Sequence, residues 1–141
     1  MDKIIKLAYW LSIPLFLIVL LYVYAMLPFE FKPFGARHTL GVISKTQFFY
    51  FSFFSMLVPN ALFYLYRKMA WKLEGGETDP SFWFMGLIFL INISLCFVVF
   101  TMGIYHSKDL NFDHYEFLNY LGPILIVGWV FYGLYLRSAK K

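Results

Sequence analysis

Four long stretches of apolar residues divide this 141-residue chain, and they constrain its fold more than any other feature. Each is roughly 20 to 24 residues long, and an α-helix needs about 20 apolar residues to cross the hydrocarbon layer of a membrane. In lipid, a helix is one of the few structures that pairs all of its own backbone groups. The pattern therefore predicts an all-α fold, with four transmembrane helices in an antiparallel bundle and one integral membrane domain, 1–141. The helices are expected at about 4–27, 47–72, 81–105 and 115–137.

Charged residues make up only 14% of the chain, against about 25% in a typical soluble domain. The net charge is +4, but the basic residues lie at the ends of the apolar stretches, where they flank and orient membrane helices. No basic stripe is interleaved with exposed aromatic residues, as a nucleic-acid platform would need. We therefore expect membrane lipids as partners and no nucleic acid.

The basic residues are distributed unevenly between the two predicted sides. Eight of the twelve lie in the N-terminus, the second loop and the C-terminus, which fall on one side; the other four are Lys32, Arg37, Lys45 and Lys108. Cytoplasmic segments carry an excess of Lys and Arg. The bias predicts cytoplasmic termini, and it places the first and third loops outside.

Polar residues are few inside the predicted spans, and no Asp, Glu, Lys, Arg or His lies deep in any of them. Proton relays and carriers of charged substrates usually need such a group at depth, so the pattern argues against proton-coupled transport. Asn60 in the second span and Asn92 in the third are the notable polar pair. Amides in lipid seek hydrogen-bond partners on neighbouring helices, so both are expected to make interhelical polar contacts.

The first loop carries a resemblance to a known group of proteins. The residues that carry it are Leu27 and Pro28, then Gly41, Ser44 and Lys45, and Asn60 in the aromatic-rich helix that follows. Over about residues 20–66 the chain resembles small bacterial multi-pass membrane proteins with an "LP…H…G…SK" first loop. That module also occurs in relatives of Sdp-type toxin-immunity proteins. The resemblance implies a protein of the bacterial inner (cytoplasmic) membrane, with four or so helices and no known enzyme activity.

All three histidines fall on the predicted outer side, together with several carboxylates. Imidazole and carboxylate groups suit zinc or another divalent metal. The candidate ligands are His38, His106, Asp113, His114 and Glu116. Their spacing matches no compact metal motif, and polar residues belong in loops in any case, so we expect neither a metal nor another cofactor.

The aromatic content, 23% of the chain, bears on function. Eighteen phenylalanines exceed what the interior of four helices needs, and a helix that is apolar all round faces lipid or another membrane protein. Without a catalytic constellation, this favours a non-enzymatic accessory or scaffold subunit of a larger bacterial membrane complex, of secretion, energy-transducing or respiratory type, with other integral membrane subunits as partners. The alternative is a ligand-binding or immunity- or sensor-type membrane protein whose outer loops recognise a peptide, a lipid or a metal. A metal-dependent membrane enzyme built on the outer-loop ligands is a third hypothesis.

Overall fold

A computed structural model describes residues 2–33, 41–73, 81–107, 115 and 117–139. The described chain folds into four long helices and one two-stranded hairpin, so the predicted helical fold with four long helices is confirmed. In chain order the elements are α1 (Asp2–Met26), β1 (Glu30–Phe31), β2 (Ile43–Ser44), α2 (Lys45–Leu73), α3 (Ser81–Tyr105) and α4 (Leu118–Ala139).

All four helices are long and apolar enough to cross a membrane. Their candidate spans contain 24, 25, 24 and 18 residues, which correspond to roughly 27–38 Å of helix at 1.5 Å per residue. The candidate spans are Lys3–Met26, Lys45–Met69, Phe82–Tyr105 and Leu118–Tyr135.

The third helix is the centre of the fold. α3 packs against α1 and α4 most extensively and against α2 less so, and it is the most buried of the four helices. α4 is the least buried helix, and its main packing partner is α3. The protein is therefore organised around one central helix.

Two apolar clusters form the core at opposite ends of the helices. The larger includes Phe16 and Leu20 of α1 together with Val99 and Met102 of α3, and these side chains are almost fully buried. The smaller contains Tyr9, Phe63, Met85 and Ile88, with the rings of Tyr9 and Phe63 in edge contact at 5.5 Å.

The first loop contains a β-hairpin that the sequence interpretation did not include. Glu30 pairs with Ser44, and Phe31 pairs with Ile43, in an antiparallel register. The buried Phe31 ring anchors the hairpin against Phe48 of α2 at 5.5 Å and against His106 at 4.9 Å. We call the end of the molecule where this hairpin lies the hairpin end.

A reciprocal cap fixes where α2 begins. The Gln47 backbone N–H donates to Ser44 Oγ at 3.1 Å, and the Ser44 N–H donates to Gln47 Oε1 at 3.0 Å. This capping box satisfies two backbone donors at once. It joins the hairpin to α2 without an intervening linker.

Candidate functional site

A groove opens between α2 and α3 at the hairpin end. Its volume is about 600 Å³, and its walls come from the hairpin, from α2 and from α3. Representative wall residues are Val42 and Ile43, Phe51 and Ser52, and Val98 and Met102. We call this feature the α2–α3 groove. Phe51 is 76% exposed, so the groove is open to the surroundings rather than an enclosed cavity.

Small residues on α2 make room for the groove. The segment from Phe48 to Ser55 reads FFYFSFFS, so serines at positions 52 and 55 are the only side chains in it that are not aromatic. Residues three apart lie on the same face of a helix, and both serines line the groove. Because a serine side chain is much smaller than an aromatic ring, these two positions leave space between α2 and α3.

The length of the groove along α2 is close to half the thickness of the hydrocarbon core of a bilayer. On α2 it extends from Gln47 to Ser55, which corresponds to roughly 12 Å of helix at 1.5 Å per residue. Ser55 lies about 15 Å along the axis from Lys45, where α2 begins, and the hydrocarbon core of a bilayer is about 30 Å thick.

The polar groups of the groove are few. Ser55 donates to the Phe51 carbonyl oxygen at 2.8 Å, and Gln47 is engaged in the α2 cap. Ser52 is 5% exposed, and its side chain makes no hydrogen bond within the part of the chain that the structure describes. The rest of the lining is predominantly apolar. Such a site has the chemistry to hold an apolar molecule.

Beyond the end of the groove near Ser55, a polar network joins α2 to α3. Asn60 donates to Asn92 Oδ1 at 2.9 Å and to the Met56 carbonyl oxygen at 2.7 Å. Asn92, which is fully buried, donates to Ser12 Oγ at 2.9 Å, and Ser12 donates to the Tyr9 carbonyl oxygen at 2.7 Å. The structure therefore brings the two predicted asparagines together, and it adds Ser12 of α1 as a third member. The network fixes the distance between α2 and α3 where the groove ends.

Glycines and tryptophans interlock at the contact between α3 and α4. A side chain at Gly133 would overlap the Trp83 ring, and one at Gly86 would overlap the Trp129 ring. The two indoles also donate to each other's backbone: Trp129 Nε1 to the Trp83 carbonyl oxygen at 3.0 Å, and Trp83 Nε1 to the Trp129 carbonyl oxygen at 3.3 Å. Sequence reasoning treated these glycines as isolated because none forms a GxxxG motif.

A second polar contact between α3 and α4 lies nearer the hairpin end. Thr101 Oγ1, fully buried on α3, lies 2.8 Å from Asn119 Oδ1 at the start of α4. Between this contact and the tryptophans, Gly122 lies against Ser94. Sequence reasoning did not pair these residues, since a lone Thr and Asn carry no helix-to-helix signal without the facing register.

His106 is the one candidate metal ligand within the described residues. The other four, His38, Asp113, His114 and Glu116, lie outside them. Among the described residues, no group of three or more His, Cys, Asp and Glu side chains could hold a metal ion. The His106 imidazole is packed on Phe31 and Tyr105, and its buried Nε2 has no hydrogen-bond partner among those residues. Burial lowers the pKa of His106 below its usual 6.5, although the Lys32 backbone carbonyl acts in the opposite direction.

Comparison with protein-family models, with curated proteins and with solved structures gives no significant match.

Proposed function

We propose that this protein is a multi-pass membrane protein that binds an apolar ligand in the α2–α3 groove and catalyses no reaction. The observation that carries the proposal is the groove itself. Its volume of about 600 Å³ falls within the roughly 300–1,000 Å³ of small-molecule sites, which are mostly apolar with a few polar groups.

The distribution of polar and apolar side chains supports residence in a membrane. Large apolar side chains such as Trp10, Phe51 and Phe131 point outward, whereas Ser12, Asn92 and Thr101 are fully buried. Lipid rather than water suits such an exterior, and buried polar side chains act between membrane helices as hydrogen-bonding contacts. Helices α1 to α4 then cross the bilayer in alternating directions.

The distribution of basic residues supports one orientation. Arg67 and Lys68 lie near the end of α2, which at 29 residues is about 43 Å long and exceeds the hydrocarbon thickness of about 30 Å. Together with the basic termini, they favour a cytoplasmic position for that end. The hairpin end and the mouth of the groove then face the outside of the membrane, and the first-loop resemblance implies that this is a bacterial inner membrane.

Filling the groove tests the proposed function. Val98→Trp places an indole in the groove, whereas Val127→Trp makes the same change at an exposed position on α4. The readout is the mass of small molecules that the protein retains when it is released from detergent micelles in native mass spectrometry. We expect wild type and Val127→Trp to retain an apolar adduct and Val98→Trp to lose it. A wild-type protein without any adduct, or equal retention by both variants, would contradict the proposal.

A second function, as an accessory subunit of a larger membrane complex, is favoured by α4. This helix packs mainly on α3 and leaves Phe131, Leu134 and Tyr135 exposed. A neighbouring membrane subunit could cover this aromatic face. Purification in a mild detergent tests the idea: integral membrane proteins should co-purify in fixed stoichiometry, and Phe131→Ala should release them. Purification as a monodisperse monomer would contradict it.

A further inference from the structure

We propose that the ligand of the α2–α3 groove is a phospholipid, with one acyl chain inside the groove and the phosphate beside Lys32. This inference rests on the proposed function and names the chemical class of the ligand. It follows from the depth, the cross-section and the charge of the groove.

The depth of the groove matches one leaflet. The groove begins where α2 begins and ends near Ser55, about 15 Å further along the helix, and half of the hydrocarbon core of a bilayer measures about the same. An acyl chain that enters at the hairpin end therefore reaches the groove floor near the middle of the membrane. The open side at Phe51 gives it a lateral path from the bilayer.

The walls of the groove suit a narrow apolar occupant. The groove offers about 600 Å³ along roughly 12 Å of α2. An extended chain of methylene groups fits this space and finds apolar walls at Val98 and Met102.

The charge at the mouth suits a phosphate. Lys32 is exposed and directly precedes Pro33, which lines the groove. Lys45 begins α2, but its ammonium group lies 4.9 Å from the centre of the Tyr24 ring on α1, and Lys45 does not line the groove. We therefore assign the phosphate to Lys32. Lysines near a membrane surface attract anionic lipid headgroups.

A substitution at Ser52 distinguishes an acyl chain from a ligand whose polar end is buried in the groove. Its hydroxyl lies in the groove wall about 10 Å along α2 from Lys45, about two-thirds of the way through one leaflet. A methylene chain forms no hydrogen bond there, so Ser52→Ala should leave retention unchanged. A ligand whose polar group enters the groove would depend on that hydroxyl.

The test uses the full-length protein, stripped of lipid by detergent exchange and then incubated with phosphatidylglycerol. Native mass spectrometry measures the one-to-one adduct. Ser55→Phe places an aromatic ring in the groove and should lower the adduct about tenfold. Val58→Phe, an exposed position one turn further along α2, should stay within about twofold of wild type.

Two further comparisons address the polar end of the ligand. Lys32→Gln should weaken retention of phosphatidylglycerol but not of diacylglycerol, which has no phosphate, whereas Lys68→Gln at the other end of α2 should affect neither. Ser52→Ala should retain phosphatidylglycerol within about twofold.

The outcomes distinguish failure of the phospholipid assignment from failure of the proposed function. A wild-type adduct that is an isoprenoid or a peptide, and that phosphatidylglycerol does not displace, overturns the phospholipid assignment and leaves apolar-ligand binding in place. Equal phosphatidylglycerol adducts on Ser55→Phe and Val58→Phe overturn the assignment to the groove. The absence of any adduct overturns both proposals.

Discussion

Asn92 shows how a single polar side chain organises this protein. It is fully buried, accepts a hydrogen bond from Asn60 on α2 and donates one to Ser12 on α1. One amide on the central helix therefore connects three helices. That both asparagines need partners could be predicted from the sequence, because an amide in lipid has no water to bond. Ser12 could not be identified in this way, since its role depends on how α1 is rotated against α3.

The Asn60–Asn92 contact should contribute measurably to stability. In a double-mutant cycle of Asn60→Ala and Asn92→Ala, we expect a coupling free energy of about 0.6–2 kcal/mol, the range for hydrogen bonds between membrane helices. Unfolding of the detergent-solubilised protein, followed by circular dichroism, gives the four free energies. If the two single changes add to the effect of the double change, the contact contributes nothing.

His106 should make the stability of the hairpin end depend on pH. Because burial lowers its pKa in the folded state below the usual 6.5, the unfolded chain binds more protons as the pH falls. The contribution of His106 is therefore fully present above pH 6.5, the unfolded value, and is lost as the pH falls through the lower folded pKa. Thermal unfolding at several pH values, with His106→Asn as the control, measures this contribution. A folded-state pKa above 6.5 in an NMR titration would contradict the expectation.

The start of α2 can be predicted from the sequence, whereas the contact between α3 and α4 cannot. The capping box lies within four consecutive residues, Ser44 to Gln47, so its spacing could have revealed the helix start. The Trp83–Gly133 and Trp129–Gly86 contacts pair residues far apart in sequence. Their detection needs the facing register of two helices, which a single sequence does not contain.

The matched glycines of α4 test this contact. Gly133→Ala would push against the Trp83 ring, whereas Gly128→Ala meets nothing within 4 Å. We expect Gly133→Ala to lower the free energy of unfolding by about 1–3 kcal/mol, the usual effect of overpacking. Gly128→Ala should leave stability unchanged or raise it by up to about 1 kcal/mol, because alanine favours helix. Thermal unfolding, followed by tryptophan fluorescence, compares the two. Equal effects would show that the helices do not meet at this face.

Across the whole protein, the arrangement around α3 explains both the polar interior and the groove. α1 and α4 pack closely on α3, whereas α2 packs less extensively and is joined to it by the Asn60–Asn92 hydrogen bond. Hydropathy alone predicted four long helices, because each apolar stretch is long and nearly free of charge. The groove could not be predicted in this way, since it depends on a hairpin that the turn residues did not reveal and on the rotation of α2.

The most direct test of the account is a map of which ends of the helices face which side of the membrane. In a protein with Cys96→Ser, single cysteines replace Val42 and Phe117 at the hairpin end and Lys68 and Ser138 at the other end, and a membrane-impermeant maleimide is added to intact bacterial cells. We expect labelling of the Val42→Cys and Phe117→Cys variants in intact cells, and of the Lys68→Cys and Ser138→Cys variants only after permeabilisation. Labelling of all four in intact cells, or recovery of the protein in the soluble fraction, would contradict four alternating membrane crossings.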